Sequence, residues 1–271
     1  MITTIRHILE YLEEWAPQRT KLDYDNVGLL VGDSGQSVGR VAVCLDVTHE
    51  VVDEAIESGA GLIIAHHPLI FKRISRISPA TPVGSLLYRL IKADVALIAV
   101  HTNLDAAYGG VSFVLAEKLG LQGIEFLDSD PASGSPEDQA IQNRTGFGAI
   151  GHLSASMDCT AFSTHVTKQL KARGIRFSGS PENIKRVAVC GGAGSFLIEK
   201  AIEQRADAFV TSDVKYHDFF YGSESFLLID AGHYETEIPV VKTMCERLKH
   251  RFPEADIYPP GVNSNPIRFF S

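Results

Sequence analysis

Sliding the chain along itself by 146 residues aligns positions 40–60 with 186–206 without a gap, and nine of the 21 pairs are identical. The shared residues are Arg-Val-Ala-Val-Cys at 40–44 and 186–190, Ala-Ile-Glu at 55–57 and 201–203, and Ala60 with Ala206. A short apolar run followed by an amphipathic stretch reads as a strand and then a helix, so one strand–helix unit occurs twice. The next apolar runs correspond as well, Leu62-Ile63-Ile64-Ala65 with Ala208-Phe209-Val210-Thr211. A second echo follows: Leu97-Ile98-Ala99-Val100 leads to His101 and Asp105, and Leu227-Leu228-Ile229-Asp230 leads to His233 and Glu237. At about 150 residues per domain, a chain of 271 has room for two related halves.

Hydrophobic periodicity predicts helices near 3–16, 48–58, 83–93, 110–120, 158–173, 195–205 and 239–250. Strands are expected near 40–45, 61–65, 95–100, 145–153, 186–190, 207–211 and 226–230, an α/β pattern with buried strands. Asp25-Asn26 before Val27-Gly28 reads as a turn entering a further strand. Positions 128–143, rich in Asp, Ser, Pro and Gly, have no periodic apolar face and are the expected linker. The expected domains are therefore 1–128 with 229–271, and 129–228.

A net charge of −8 argues against non-specific attraction to phosphate backbones or anionic lipid. Cys44, Cys159, Cys190 and Cys245 are too widely spaced for a zinc ribbon or a redox pair, which fits a reducing, cytoplasmic compartment. The first 15 residues are amphipathic, and no run approaches the roughly 20 apolar residues of a membrane span, so no membrane partner is expected.

The chemistry concentrates at strand ends. His66-His67-Pro68 follows one apolar run, where open α/β sheets place their ligands. Adjacent residues of an extended chain point to opposite sides, so two metals or two faces of one site are expected there. His101 with Asp105, and His233 with Glu237, are spaced to reach a single ion if their segments are helical. Three strand ends thus deliver His66, His67, His101, Asp105, His233 and Glu237, an imidazole and carboxylate set suited to Zn, Mn, Fe, Co or Ni. Six donors exceed one tetrahedral site, and carboxylates bridge, which favours two divalent ions roughly 3.5–4 Å apart. Gly191-Gly192-Ala193-Gly194 is either a phosphate cradle or, more in keeping with its place, a tight turn that permits close packing. Lys215 and His217 are candidates to line the metal cavity, with a solvated helix end as the alternative. His7, His49, His152, His165 and His250 have no partner spacing and are expected at the surface or satisfied in the core.

Together these motifs resemble the GTP cyclohydrolase 1 type 2 homologs, also called NGG-interacting-factor-like proteins. The resemblance runs from Trp15-Ala16-Pro17 through Asp25-Asn26-Val27-Gly28, the His66 and His101 motifs and Gly191-Gly192 to His233 and Glu237. Two positions depart from the family pattern, Tyr24 where Trp is frequent and Ser212 where Gly is usual, and neither is in the ligand set. The resemblance implies a dinuclear site of His66, His67, Asp105, His233 and Glu237, with His101 as neighbour or additional ligand. It also implies a ring-shaped homohexamer. The expected architecture is two related α/β domains, mixed sheets flanked by helices, with a dinuclear metal site between them.

The expected function is metal-dependent hydrolysis of a nucleotide-like substrate. True cyclohydrolase chemistry through a cysteine-held zinc is less favoured, because the four cysteines show no such pattern. The alternative is a non-enzymatic metal-binding regulator or scaffold, which fits the lack of an obvious general acid or specificity loop. A nucleic-acid role is the least favoured.

Overall fold

The computed structural model describes residues 2–129 and 145–270. In chain order these contain α1 (Ile5–Trp15), β1 (Gly28–Val31), β2 (Arg40–Cys44), α2 (His49–Glu57), β3 (Leu62–Ala65), α3 (Pro82–Lys92), β4 (Ala96–Ala99), α4 (Thr102–Asp105), α5 (Val111–Lys118), β5 (Gln122–Ser129), β6 (Gly146–Met157), α6 (Cys159–Leu170), β7 (Arg176–Ser178), β8 (Ile184–Ala193), α7 (Ile198–Glu203), β9 (Ala208–Ser212), β10 (Leu227–Asp230), α8 (His233–Glu237), α9 (Pro239–Arg251) and β11 (Asp256–Tyr258). Each helix and strand expected from periodicity is present. The additional strands β5, β7 and β11 are short or largely exposed, so they carry no apolar run to betray them. Of the expected linker, Asp128 and Ser129 belong to β5, and positions 130–143 lie outside the described residues.

Two compact units form, Met1–Leu104 with Val241–Ile267 and Asp105–Val240 with Arg268–Ser271. This division differs at both boundaries from 1–128 plus 229–271 and 129–228. The reason is strand pairing: β5 lies antiparallel beside β6, and β10 lies parallel beside β9, which puts both strands in the second unit. The chain passes between units inside α4, again inside α9 and a third time after Ile267.

In the first unit the sheet order is β1-β4-β3-β2-β11. Strands β11, β2, β3 and β4 are parallel, and β1 closes one edge antiparallel to β4. Strands covered on both faces read as near-continuous apolar runs, as in Leu62–Ala65 and Ala96–Ala99, which are buried throughout. One face, carrying Ala42, Cys44, Ile63, Ala65 and Leu97, packs with Val51, Val52 and Ala55 of α2 and Leu86 and Leu90 of α3.

In the second unit the order is β5-β6-β8-β9-β10-β7, with β8, β9 and β10 parallel and the others antiparallel. Alternation along β8 divides its core: Val187 and Val189 pack with Phe113 of α5 and Phe162 and Val166 of α6, whereas Ala188 and Cys190 pack with Ile198 and Ala201 of α7. The sheet is thus mixed and has helices on both faces.

The repeat holds at the level of register. Val41 pairs with Leu62, Ala42 with Ile63 and Val43 with Ile64; 146 residues later, Val187 pairs with Ala208, Ala188 with Phe209 and Val189 with Val210. A helix returns the chain between the paired strands in each half, α2 in the first and α7 in the second, so the two halves share a βαβ unit and not composition alone. They diverge beyond Val189, where the β8–β9 register shifts before Ala193 and Ser212. That irregularity holds Gly191 and Gly192.

Among the described residues no helix is long and apolar enough to cross a membrane. Phe209 is fully buried in the second unit, against the α7 side of its sheet. Phe209→Ala is expected to cost about 3–5 kcal/mol of stability, and Ala at the half-exposed Ile91 about 0.5 kcal/mol or less, measured by chemical denaturation.

Candidate metal centre

In the first unit the ladder between β2 and β3 runs past the strands. His66 N donates to the Cys44 carbonyl at 3.1 Å and His67 N to the Leu45 carbonyl at 2.9 Å. The chain bends at these two residues instead of continuing extended. Strand alternation therefore ceases, and the expected divergence of the two side chains does not occur: their ring centroids are 4.9 Å apart. His101, two residues beyond β4, completes a triangle at 5.2 Å from His66 and 5.4 Å from His67. One ring nitrogen from each of the three lies within 4.8 Å of the others.

Each ring is oriented through Nδ1. Buried His66 donates to the Val100 carbonyl at 2.8 Å, His67 to Asp46 Oδ1 at 2.7 Å and His101 to Asp25 Oδ1 at 2.9 Å. A carbonyl or carboxylate only accepts, so the proton sits on Nδ1 and the lone pair on Nε2, as metal-ligating histidines are arranged. The acceptors are themselves fixed. Asp46 Oδ2 accepts from Ser264 Oγ at 2.8 Å. Asp25 accepts from the Asn26 and Thr102 backbone N–H groups at 2.8 and 3.0 Å and from the Thr102 hydroxyl. Burial alone would raise the Asp25 carboxyl, but the hydrogen bonds from His101 and Thr102 win and hold it well below the usual carboxylate range.

In the second unit His233 opens α8 and Glu237 lies one turn on, with His233 Nε2 and Glu237 Oε2 at 3.1 Å. The helical spacing expected for this pair is what the chain adopts. His233 Nδ1 donates to Asp213 Oδ2 at 2.6 Å, so the same orienting device recurs. Burial disfavours a charged His233 ring, yet the flanking Glu237 and Asp213 carboxylates raise it to about 9. The pocket thus favours positive charge at Nε2. Asp105 ends α4, and burial, with the charges of Asp105 and Glu237 adding to it, pushes the Cys190 thiol up. Cys44 is pushed up by burial, and Cys245 to about 11 for the same reason, so these groups stay thiols and not thiolate ligands.

Gly191 and Gly192 make room for the acid. Gly192 has φ +65°, and a Cβ there would collide with Glu237 Oε1; one at Gly191 would collide with Val111. The Gly192 N–H donates to the Thr236 hydroxyl oxygen at 3.0 Å. Close packing, not a phosphate cradle, accounts for this segment.

A model of the Duf34/NIF3 (NGG1p interacting factor 3) family matches residues 3–266. The chain belongs to the Duf34/NIF3 family. Among its relatives, a "GTP cyclohydrolase 1 type 2 homolog" of Clostridium perfringens is 32% identical over 249 residues, covering 91% of this chain and 92% of that one. Its counterpart in Clostridium acetobutylicum is 31% identical over 266 residues, covering 97% and 94%. The fold matches a hypothetical protein of Staphylococcus aureus at TM-score 0.89 and 30% identity over all of both chains. It also matches a Bacillus cereus protein related to NIF3 at TM-score 0.88 and 25% identity, over 99% of each.

Of the residues the family resemblance singles out, the structure groups His101 with His66 and His67 on equal terms in the first unit, and His233 with Glu237 in the second. Lys215 and His217 are exposed, His217 stacked on Phe220 at 6.2 Å. Of the unassigned histidines, His7 completes a capping box with Thr4, and His165 Nε2 donates to the Leu119 carbonyl. Sequence reasoning missed the orienting acids Asp25, Asp46 and Asp213. A signal existed: Asp46 and Asp213 each lie within two residues of a strand's C-terminal end, and Asp213 occupies the repeat position of His67.

Asp25→Asn removes the charge that orients His101 and is expected to lower metal affinity about 10–100-fold in a competition assay with a chromophoric chelator. Because the folded carboxyl is depressed, its stabilisation is present above the ordinary carboxylate range and is lost as pH falls through and below it. The acid limb of a stability–pH profile should therefore be shallower in Asp25→Asn than in the unmutated protein. Gly192→Ala, which displaces Glu237, should weaken metal binding as Glu237→Ala does while leaving the far-UV circular dichroism spectrum unchanged.

Proposed function

We propose that His66, His67, Asp105, His233 and Glu237, with His101 as an additional ligand, hold two divalent ions, and that the protein is a metal-dependent hydrolase of a nucleotide-like substrate. The observation that carries this reading is the shared orientation of His66, His67 and His101, each tied through Nδ1 to a fixed oxygen acceptor. Imidazole nitrogens with carboxylate oxygens suit Zn, Mn, Fe, Co or Ni better than Ca or Cu(I), and the protonated thiols offer no competing soft donors. Ions of that kind supply Lewis acidity, lowering the pKa of water toward 7 and polarising a phosphoryl group or ring carbon.

The chain's own residues do the rest. Asp25, Asp46 and Asp213 keep three rings from rotating, so the donor nitrogens need no reorganisation. His233 and Glu237 would offer Nε2 and a carboxylate oxygen, which stand 3.1 Å apart, and Glu237 is almost wholly buried, so its charge is kept from bulk water. Four free cysteines are in keeping with a reducing, cytoplasmic location, and the family resemblance supports a homohexamer.

Metal analysis after saturation and desalting should give about two ions per chain. The loaded protein should hydrolyse GTP or a member of a phosphoester panel, and Glu237→Gln should lower turnover by at least tenfold. Binding of fewer than two ions, or undiminished binding in His66→Ala with His233→Ala, would remove the ligand assignment. Full loading without turnover above that of Glu237→Gln would instead leave a metal-binding regulator or scaffold.

A further inference from the structure

The short segment that anchors the first-unit histidines also carries an aromatic platform. Asp25 orients His101, and the next residue, Asn26, donates through Nδ2 to the Ile70 carbonyl at 2.7 Å. This fixes the base of the segment between β3 and α3 one residue before Phe71. Tyr24, on the other side of Asp25, meets Phe71 edge to face at 6.0 Å and 64°, and Phe71 meets the His101 ring at 6.3 Å and 78°. The two outer rings are nevertheless open to solvent, Tyr24 63% exposed and Phe71 49%. Burying a large aromatic side chain is worth about 1.5–3 kcal/mol, so two paired rings held in water beside candidate metal ligands point to a ligand surface and not to stability.

The charge around the platform specifies more. Positions 69–81 carry Lys72, Arg73 and Arg76 and no acidic residue, in a chain of net charge −8. All three cations are exposed. The second half has a matching feature at the corresponding place. Beyond β9, Lys215 precedes the exposed Tyr216, and Tyr216, His217 and Phe220 pack mutually, with Tyr216 to Phe220 at 5.8 Å. His217 stands 146 residues after Phe71. An aromatic segment thus follows the repeated strand in each half, and of the two only the first-half segment is basic, since Asp213 and Asp218 flank Lys215 in the second.

We propose that Tyr24 and Phe71 form a stacking platform for a planar heterocycle and that Lys72 and Arg73 hold its phosphate, so that the ligand is a mononucleotide presented beside His101. The platform rests on the hydrolase reading for what happens to the ligand, but its binding can be measured independently of turnover. Aromatic faces recognise any base by stacking, and flexible cations recognise the phosphate charge, so the site selects ring plus phosphate before it selects one base.

The test is calorimetric titration of the full chain, with and without Zn, using GMP and ribose 5-phosphate. GMP should bind about 5–150-fold more tightly than ribose 5-phosphate, the range that stacking worth about 1–3 kcal/mol gives. Tyr24→Ala and Phe71→Ala should each abolish most of that preference while leaving ribose 5-phosphate affinity, Tm and metal stoichiometry unchanged, and Phe71→Tyr should retain it. Lys72→Ala with Arg73→Ala should weaken both ligands by a similar factor. Equal affinity of the unmutated protein for the two ligands, or unaltered GMP binding in both alanine variants, overturns the proposal. So does a single-stranded oligonucleotide that binds tenfold more tightly than GMP, since that would make the platform part of a polymer site. Loss of metal binding with an intact GMP preference would sink the hydrolase reading and leave the platform standing.

Discussion

An oxygen acceptor at Nδ1 is the interaction on which the rest of this structure depends. An imidazole on a flexible stem can rotate and can carry its proton on either nitrogen, and either freedom spoils a metal ligand. Here His66, His67, His101 and His233 are each locked by one acceptor: the Val100 carbonyl, Asp46, Asp25 and Asp213. Val100, Asp46 and Asp213 lie directly beyond the ends of parallel strands, and Asp25 lies just before the antiparallel edge strand β1. The mixed sheets thus act as the rigid element that sets ring orientation, and the loops carry the chemistry.

That arrangement has local costs that the surrounding structure offsets. Asp25 is buried and would be expensive as an isolated charge, but His101, Thr102 and Asn26 donate enough hydrogen bonds to keep it ionised. Glu237 and Asp105 raise the negative charge around the Cys190 thiol, and that thiol stays protonated. The second half gives up the regular β8–β9 register around Gly192, where the left-handed backbone and the missing Cβ leave space for Glu237. The same offset in the first half is Asp46, whose side chain serves as an orienting acid. One repeat position has therefore taken on two different duties, a carboxylate in one half and empty volume in the other.

Much of this was legible from local pattern. Apolar runs marked the parallel strands, because strands covered on both faces are apolar along most of their length. The four-residue spacing of His233 and Glu237 anticipated a helical pair. The opposite-facing reading of His66 and His67 failed because it assumed that the strand continued, and the bend after Ala65 is set by backbone bonds to Cys44 and Leu45 some 20 residues earlier. The orienting acids stayed hidden for a similar reason: Asp25 and His101 are 76 residues apart, and no period links them.

The sequence by itself determined the duplicated strand–helix–strand unit, its register and the clustering of imidazoles and carboxylates at strand ends, since hydrophobic period and repeat spacing are properties of neighbouring residues. Tertiary structure alone decided which acid holds which ring, why Gly192 must lack a side chain, and that Tyr24 and Phe71 stand exposed together beside His101. Those facts depend on where distant segments meet in space, and packing between segments settles them.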